Sequence, residues 1–133
     1  MIVVPDAGPL IYLAGVGRLE LLKTLFARVV VPKVVYDEVV VAGAGLLGAA
    51  EVAAAAWSEV EDADVEPSLA VLLDAGEAAA IPLAGRLGAT LLCDDADARA
   101  IARQRGLAVV GTLGVLLRAK RAGHVEAIAQ SSL

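Results

Sequence analysis

The chain has 133 residues, 59% of them apolar, and a formal net charge of −5. That length suits one domain, residues 1–133, built around a single hydrophobic core. No stretch without a charge exceeds the 12 residues found from Val39 to Ala50, short of the roughly 20 a spanning helix needs, and the acidic balance argues against the broad electrostatic grip of a basic nucleic-acid binder.

Residues 2–4 read as a short buried strand ended by Pro5-Asp6. No basic residue precedes this run and an acid closes it early, so a signal peptide is not expected. Gly8–Leu13 starts a helix with proline in its first turn, broken by Gly15 and Gly17, and a second short helix is expected from Arg18 to Phe26. Val29–Val31 is the second strand, and Pro32 opens a helix through Val41. A glycine-rich turn leads to an alanine helix at Leu46–Ala56, then to an acidic irregular stretch, 57–66, with a short edge strand at Trp57–Val60. From Asp74 a longer helix runs to Leu87, with Gly88 as its stop. Pro82 lies inside it, removes a backbone bond to Ala78 and predicts a kink just beyond Glu77. Thr90–Cys93 is the third strong strand, Asp95–Arg105 a helix ended by Gly106, Leu107–Val110 the fourth strand, and Gly111-Thr112 opens a last helix to Arg121. Strands alternating with helices predict an α/β fold: a three-layer α/β/α sandwich with a central parallel sheet of four to five strands.

Charge is spread unevenly. Residues 51–77 hold eight of the sixteen acids and no Lys or Arg, while 99–121 hold six of the eleven basic residues, enough for a local basic surface. Tyr12 and Trp57 read as packing residues and His124 as an exposed one. The lone Cys93 excludes an internal disulfide, suits a reducing cytoplasm and reads as a small hydrophobe.

Asp6, the Asp94/Asp95 pair and Thr112 all fall just beyond strand carboxyl ends, where open α/β sheets gather their chemistry. Each alone is explained as a helix N-cap; several on one sheet edge converge. Glu38 shares a helix stripe with Val34, Val35 and Val41 and so faces the sheet, whereas Asp37 pairs with Lys33 outside. Glu77 lines up with Ala80, Ile81 and Ala84, although Asp74-Ala-Gly-Glu77 also fits a capping box. Asp6, Glu38, Glu77 and Asp95 are therefore expected to meet at one edge. Like charges at ~4 Å repel by about 4 kcal/mol at an effective dielectric near 20, so such a cleft needs a cation or protonated members. With one histidine and one cysteine, Zn²⁺ is a poor candidate. Oxygen ligands point to Mg²⁺ or Mn²⁺, and a carboxylate-held ion suits phosphodiester cleavage.

The segments VVPDAGPLIYLA (3–14), VPKVVYDEV (31–39), LDAGEAAAIPLA (73–84), LLCDDADARAIA (91–102) and GTLGVLLRAKRAG (111–123) resemble, in order, the PIN-domain proteins of the VapC-like subfamily. The resemblance implies a PIN-like fold, metal-dependent endoribonuclease activity on RNA, the toxin role of a toxin–antitoxin pair with a cognate antitoxin, and a homodimer. Its acidic metal site carries over onto Asp6, Glu38, Glu77 and Asp95, with Asp94, Asp97 and Thr112 auxiliary. Arg99, four residues after Asp95, is read as its ion-pair partner or as a contact to a substrate phosphate. Relatives usually continue past the stretch matching His124–Leu133, so a missing or replaced terminal helix is expected. Net acidity, Pro82 and that terminus favour an alternative, a non-catalytic PIN-like module that binds RNA or protein. Two other patterns carry less. Gly43–Gly48 matches GxGxxG, yet the run before it belongs to the helix opened by Pro32. The acid pair and Lys120 are out of order for a phosphorelay receiver.

Overall fold

In the structure, a computed structural model that describes residues 1–124, five parallel strands form one sheet in the order β3-β2-β1-β4-β5. They are β1 (Ile2–Pro5), β2 (Arg28–Pro32), β3 (Ser58–Glu61), β4 (Thr90–Leu92) and β5 (Val109–Val110). All four pairings are parallel, as the alternation of strands and helices predicts. β3, the edge strand expected near Trp57, lies beside β2 and is tied to it by the Arg28–Glu59 ion pair at 2.8 Å.

Alternating strand residues sort into two cores. Val3, Val29, Val31 and Leu92 pack on one face with α1 (Ala7–Gly15), α2 (Leu21–Leu25), α3 (Lys33–Tyr36), α4 (Ala49–Ala54) and α8 (Thr112–Arg121). Val4, Val30, Leu91 and Cys93 pack on the other with α5 (Pro67–Ala70), α6 (Ala75–Leu87) and α7 (Ala96–Gln104). This is the α/β/α sandwich. The chain moves outward from β1 through β2 to β3, then returns to place β4 on the other side of β1. Right-handed crossovers in opposite directions put their helices on opposite faces, and the reversal leaves a crevice between β1 and β4.

Four local features bear on the sequence expectations, and the first and last depart from them. The helix opened by Pro32 is α-helical only to Tyr36, and Asp37–Ala42 is wound as a π-helix. The wider turn shifts the register, so Val39 is buried while Val41 is 64% exposed. The Gly43–Gly48 turn follows this π-helix rather than a strand, which removes the dinucleotide fingerprint. Pro82 does not interrupt α6. The Ala78 carbonyl that it leaves without an intrahelical donor accepts the Glu66 N–H at 3.1 Å, from the segment leading into α5. The fourth is α5 itself, a short helix within an unassigned stretch. Gly88 ends α6 in the left-handed conformation, φ 62°. Apart from His124, which is exposed, the expected change at His124–Leu133 lies outside the described residues.

Acids and bases pair across the surface more than composition suggests. Glu59, Glu61 and Glu66 of the acidic stretch meet Arg28, Arg86 and Arg105. Arg118 stacks over Phe26 at 5.9 Å. Part of the basic surface expected over residues 99–121 is thus engaged within the fold.

Candidate metal centre

Three segments converge at the carboxyl edge of the sheet, where β1 and β4 lie side by side. Past the end of β1, the Asp6 N–H donates to the Leu92 carbonyl at 2.9 Å; past the end of β4, the Cys93 N–H donates to Val110 at 3.0 Å. The ladder thus carries both residues to the rim, and the first turn of α6 brings Glu77 to meet them.

Asp6 occupies the N-cap position of α1 but makes no side-chain capping bond. It is 8% exposed, and its Oδ1 has no hydrogen-bond partner among the described residues. Glu77, 7% exposed, lies on the buried face of α6 with Ala80, Ile81 and Ala84. Its capping box also forms: Asp74 Oδ1 accepts the Glu77 N–H at 2.8 Å, and Glu77 Oε1 accepts the Asp74 N–H at 3.3 Å. That leaves Oε2, which lies 4.0 Å from Cys93 Sγ; the same sulfur is 4.0 Å from Asp6 Oδ2. One donor atom from each of Asp6, Glu77 and Cys93 lies within 4.8 Å of the other two.

The electrostatics follow from burial. Loss of solvent pushes the Asp6 carboxyl up to about 6; the Ala7 amide opposes this, and Asp74, Glu38 and Asp95 reinforce it. Burial, then the charges of Asp74 and Asp6, raise Glu77 to about 7. Burial likewise raises the Cys93 thiol to about 12, so it stays protonated.

Glu38 reaches this cleft from the exposed side of the π-helix, and burial and Asp74 raise its pKa. A Cβ placed on Gly76 would stand 3.1 Å from Asp6 Oδ1 and 3.3 Å from Glu38 Oε1. Glycine there keeps open the space between the two carboxylates. Asp95 has two roles: its Oδ2 caps α7 by accepting the Ala98 N–H at 2.9 Å, and its charge raises both Asp6 and Glu77. Of the four acids expected to meet, Asp6 and Glu77 are brought together, while Glu38 and Asp95 are exposed at the edge of the cleft.

The other residues named from sequence fall elsewhere. Asp94 turns to α8, where its carboxylate accepts the Thr112 N–H at 2.8 Å and the Thr112 hydroxyl at 2.5 Å. Asp94→Ala is expected to cost about 1–2 kcal/mol of stability through the lost cap, measured by urea denaturation; an unchanged midpoint would contradict that role. Asp97 is exposed and lines a surface recess with Leu72, Ala100 and Ile101. Arg99 does not pair with Asp95. Its Nη1 donates to the Cys93 carbonyl at 2.9 Å, and the lack of a side chain at Gly111 permits this, since a Cβ there would come within 2.6 Å of that nitrogen.

Two members of the cluster escape the sequence reading. Asp74 is explained by its cap spacing, and Cys93 by its apolar neighbours. The one signal for Cys93 is strand alternation, which puts it on the same face as Leu91, under α6.

A divalent cation fits these residues. A buried carboxylate oxygen without a partner, further carboxylate oxygens around it and the space left by Gly76 are what a hard cation takes.

The family described as PIN domain matches residues 2–131. Among solved structures, the fold is similar to a PilT N-terminus domain protein from the hyperthermophilic archaeon Sulfolobus solfataricus, with a TM-score of 0.58, 18% identity and coverage of 96% of each chain. No curated protein matches the chain. With nearly its whole length matched, and with acids gathered at the switch point of its sheet, the chain belongs to the PIN-domain family.

Proposed function

We propose that the protein is a Mg²⁺- or Mn²⁺-dependent ribonuclease that hydrolyses RNA phosphodiester bonds at the Asp6–Glu77 rim. The observation that carries this reading is the burial of two carboxylates beside each other, one with an orphaned oxygen. With donor atoms within 4.8 Å, two ionised carboxylates repel by about 3 kcal/mol or more at an effective dielectric near 20. The capping box accounts for Glu77 Oε1, but Asp6 makes no capping bond and leaves Oδ1 without a partner among the described residues, which a cation would supply. Membership of the PIN-domain family supports the same reading.

Asp6 and Glu77 would hold the ion, with Glu38 and Asp95 completing the acidic rim. When bound, a divalent ion supplies Lewis-acid activation of water and neutralises charge at the leaving oxygen. Arg99, held beside the site by the Cys93 carbonyl, retains guanidinium donors for a substrate phosphate. Thr112 and Asp94 fix the start of α8 next to it. In the cell we assign this activity to the toxin of a toxin–antitoxin pair, a cytoplasmic homodimer with a cognate antitoxin. The support for that part is the resemblance to VapC-like sequences.

Purified protein is expected to cleave single-stranded or structured RNA with Mn²⁺ or Mg²⁺, to stop on adding EDTA and to resume when metal is restored. Cleavage that persists in EDTA would overturn the reading. The engagement of Arg105 and Arg118 within the fold takes cations from an RNA-facing surface and so favours a second reading, a non-catalytic PIN-like module that binds a protein partner. Calorimetric titration with Mn²⁺ separates the two, because only the enzyme requires binding that depends on Asp6 and Glu77.

A further inference from the structure

Cys93 is placed as a ligand is placed. Its N–H is held by Val110 and its carbonyl by Arg99, so the backbone cannot drift. Its side chain is fully buried, and its sulfur stands 4.0 Å from a carboxylate oxygen of Asp6 and 4.0 Å from one of Glu77. The protonated thiol can donate its single S–H to only one of these two acids at a time, whereas a metal-bound thiolate stands beside both. The second observation is independent of the thiol: Asp6 is more than nine-tenths buried, and its Oδ1 has no partner among the described residues.

We propose that Asp6, Glu77 and Cys93 form a mixed oxygen–sulfur site that binds Zn²⁺ in competition with Mg²⁺ or Mn²⁺. This rests on the carboxylate–metal reading above and adds what an all-oxygen site lacks, a preference for thiophilic ions. A tetrahedral zinc with Zn–S near 2.3 Å and Zn–O near 2.1 Å sets sulfur and oxygen about 3.6 Å apart. The sulfur–oxygen distances here, 4.0 Å each, need to close by only a few tenths of an ångström. Three protein ligands leave the fourth zinc position to water, the pattern of an open zinc site. Mg²⁺ takes oxygen donors and has no use for the sulfur, whereas Zn²⁺ takes both and stands above Mn²⁺ in intrinsic affinity. On binding, the Cys93 S–H bond breaks, its electron pair becomes the sulfur–metal bond, and the proton passes to bulk water. Zn²⁺ then occupies Asp6 and Glu77 and excludes the ion that the ribonuclease reaction uses.

The test titrates the whole protein with Cd²⁺, a spectroscopic stand-in for Zn²⁺, and follows the ultraviolet thiolate-to-cadmium charge-transfer absorbance. A parallel arm follows bound Mn²⁺ by electron paramagnetic resonance while Zn²⁺ is added. Wild type should show the band, saturating at one equivalent, and should release Mn²⁺ to Zn²⁺. Cys93→Ser should lose the band and bind Zn²⁺ more weakly by about tenfold or more, while still binding Mn²⁺, which also shows that it folds. Cys93→Ala provides the same comparison should the serine variant misfold. Absence of the band in wild type, equal Zn²⁺ competition in wild type and Cys93→Ser, or a full-affinity band in Asp6→Asn would each overturn the mixed site. The Mn²⁺ arm judges the underlying reading separately. Mn²⁺ binding without the thiolate band removes Cys93 alone, and a wild type that fails to bind Mn²⁺ removes the carboxylate site.

Discussion

Asp6→Asn is expected to abolish metal-dependent RNA cleavage, by about a hundredfold or more, while making the metal-free fold more stable at neutral pH. A metal ligand supports several kcal/mol of charge stabilisation in such a reaction, and each 1.36 kcal/mol is tenfold in rate. The stability change has the opposite sign because ionised Asp6 is a strained member of the fold: buried, with one oxygen unpartnered and with Asp74, Glu38 and Asp95 repelling it. Asparagine has the same shape, removes the charge and offers an amide N–H₂ to the neighbouring carboxylates. Single-turnover cleavage of labelled RNA and urea denaturation in EDTA measure the two effects. A variant that cleaves like wild type, or that is less stable than wild type without metal, would contradict the assignment.

Without metal, wild-type stability is expected to fall as pH rises from about 4 to about 7. Asp6 moves from 3.8 to about 6 on folding, and Glu77 from 4.5 to about 7. Between those values the unfolded chain has released protons that the folded one retains, so the slope is negative, and the loss is complete above the folded values. Together the two acids account for a few kcal/mol. Glu66 acts with the opposite sign in a lower window. Hydrogen bonds from Arg105 and Ser68 hold it at about 2, so its contribution is present above 4.5 and is lost as pH falls towards 2. The contributions of these three groups are together largest where the windows meet, around 3.8 to 4.5. Mn²⁺ at 100 times its Kd should restore about 2.7 kcal/mol at neutral pH, and Asp6→Asn or Glu77→Gln should flatten the profile. Denaturant midpoints across pH, with and without EDTA, give the answer. A metal-free protein that grows more stable from pH 5 to 7 would exclude two strained carboxylates at this rim.

Glu77 illustrates what periodicity can carry. Its spacing to Ala80, Ile81 and Ala84 marks a buried face, and its spacing to Asp74 marks a capping box; both are realised by the same side chain. Glu38 illustrates the limit. The 3.6-residue stripe that links it to Val41 ends where the helix widens at Asp37, and a change of winding leaves no mark in apolar spacing. Pro82 removes the backbone bond to Ala78 as its position predicts, but what fills that vacancy, the Glu66 N–H, lies outside the helix and outside local reading. Arg99 has an acid at the ideal helical spacing and takes a carbonyl instead, that of Cys93, just past the end of β4.

The order of strands and helices, the acids at strand ends and the side of the sheet that each strand residue faces are local properties. Alternation separates Val3 from Val4 and Leu91 from Leu92 without knowledge of any neighbour. Which strands lie together is not local. Placing β4 beside β1 closes a loop of more than eighty residues, and its hydrogen bonds repay that closure only after the intervening helices have packed. That one pairing sets Cys93 against Asp6 and brings α6 over both. The chain alone thus supplies the acids, and the tertiary structure decides that a thiol stands among them.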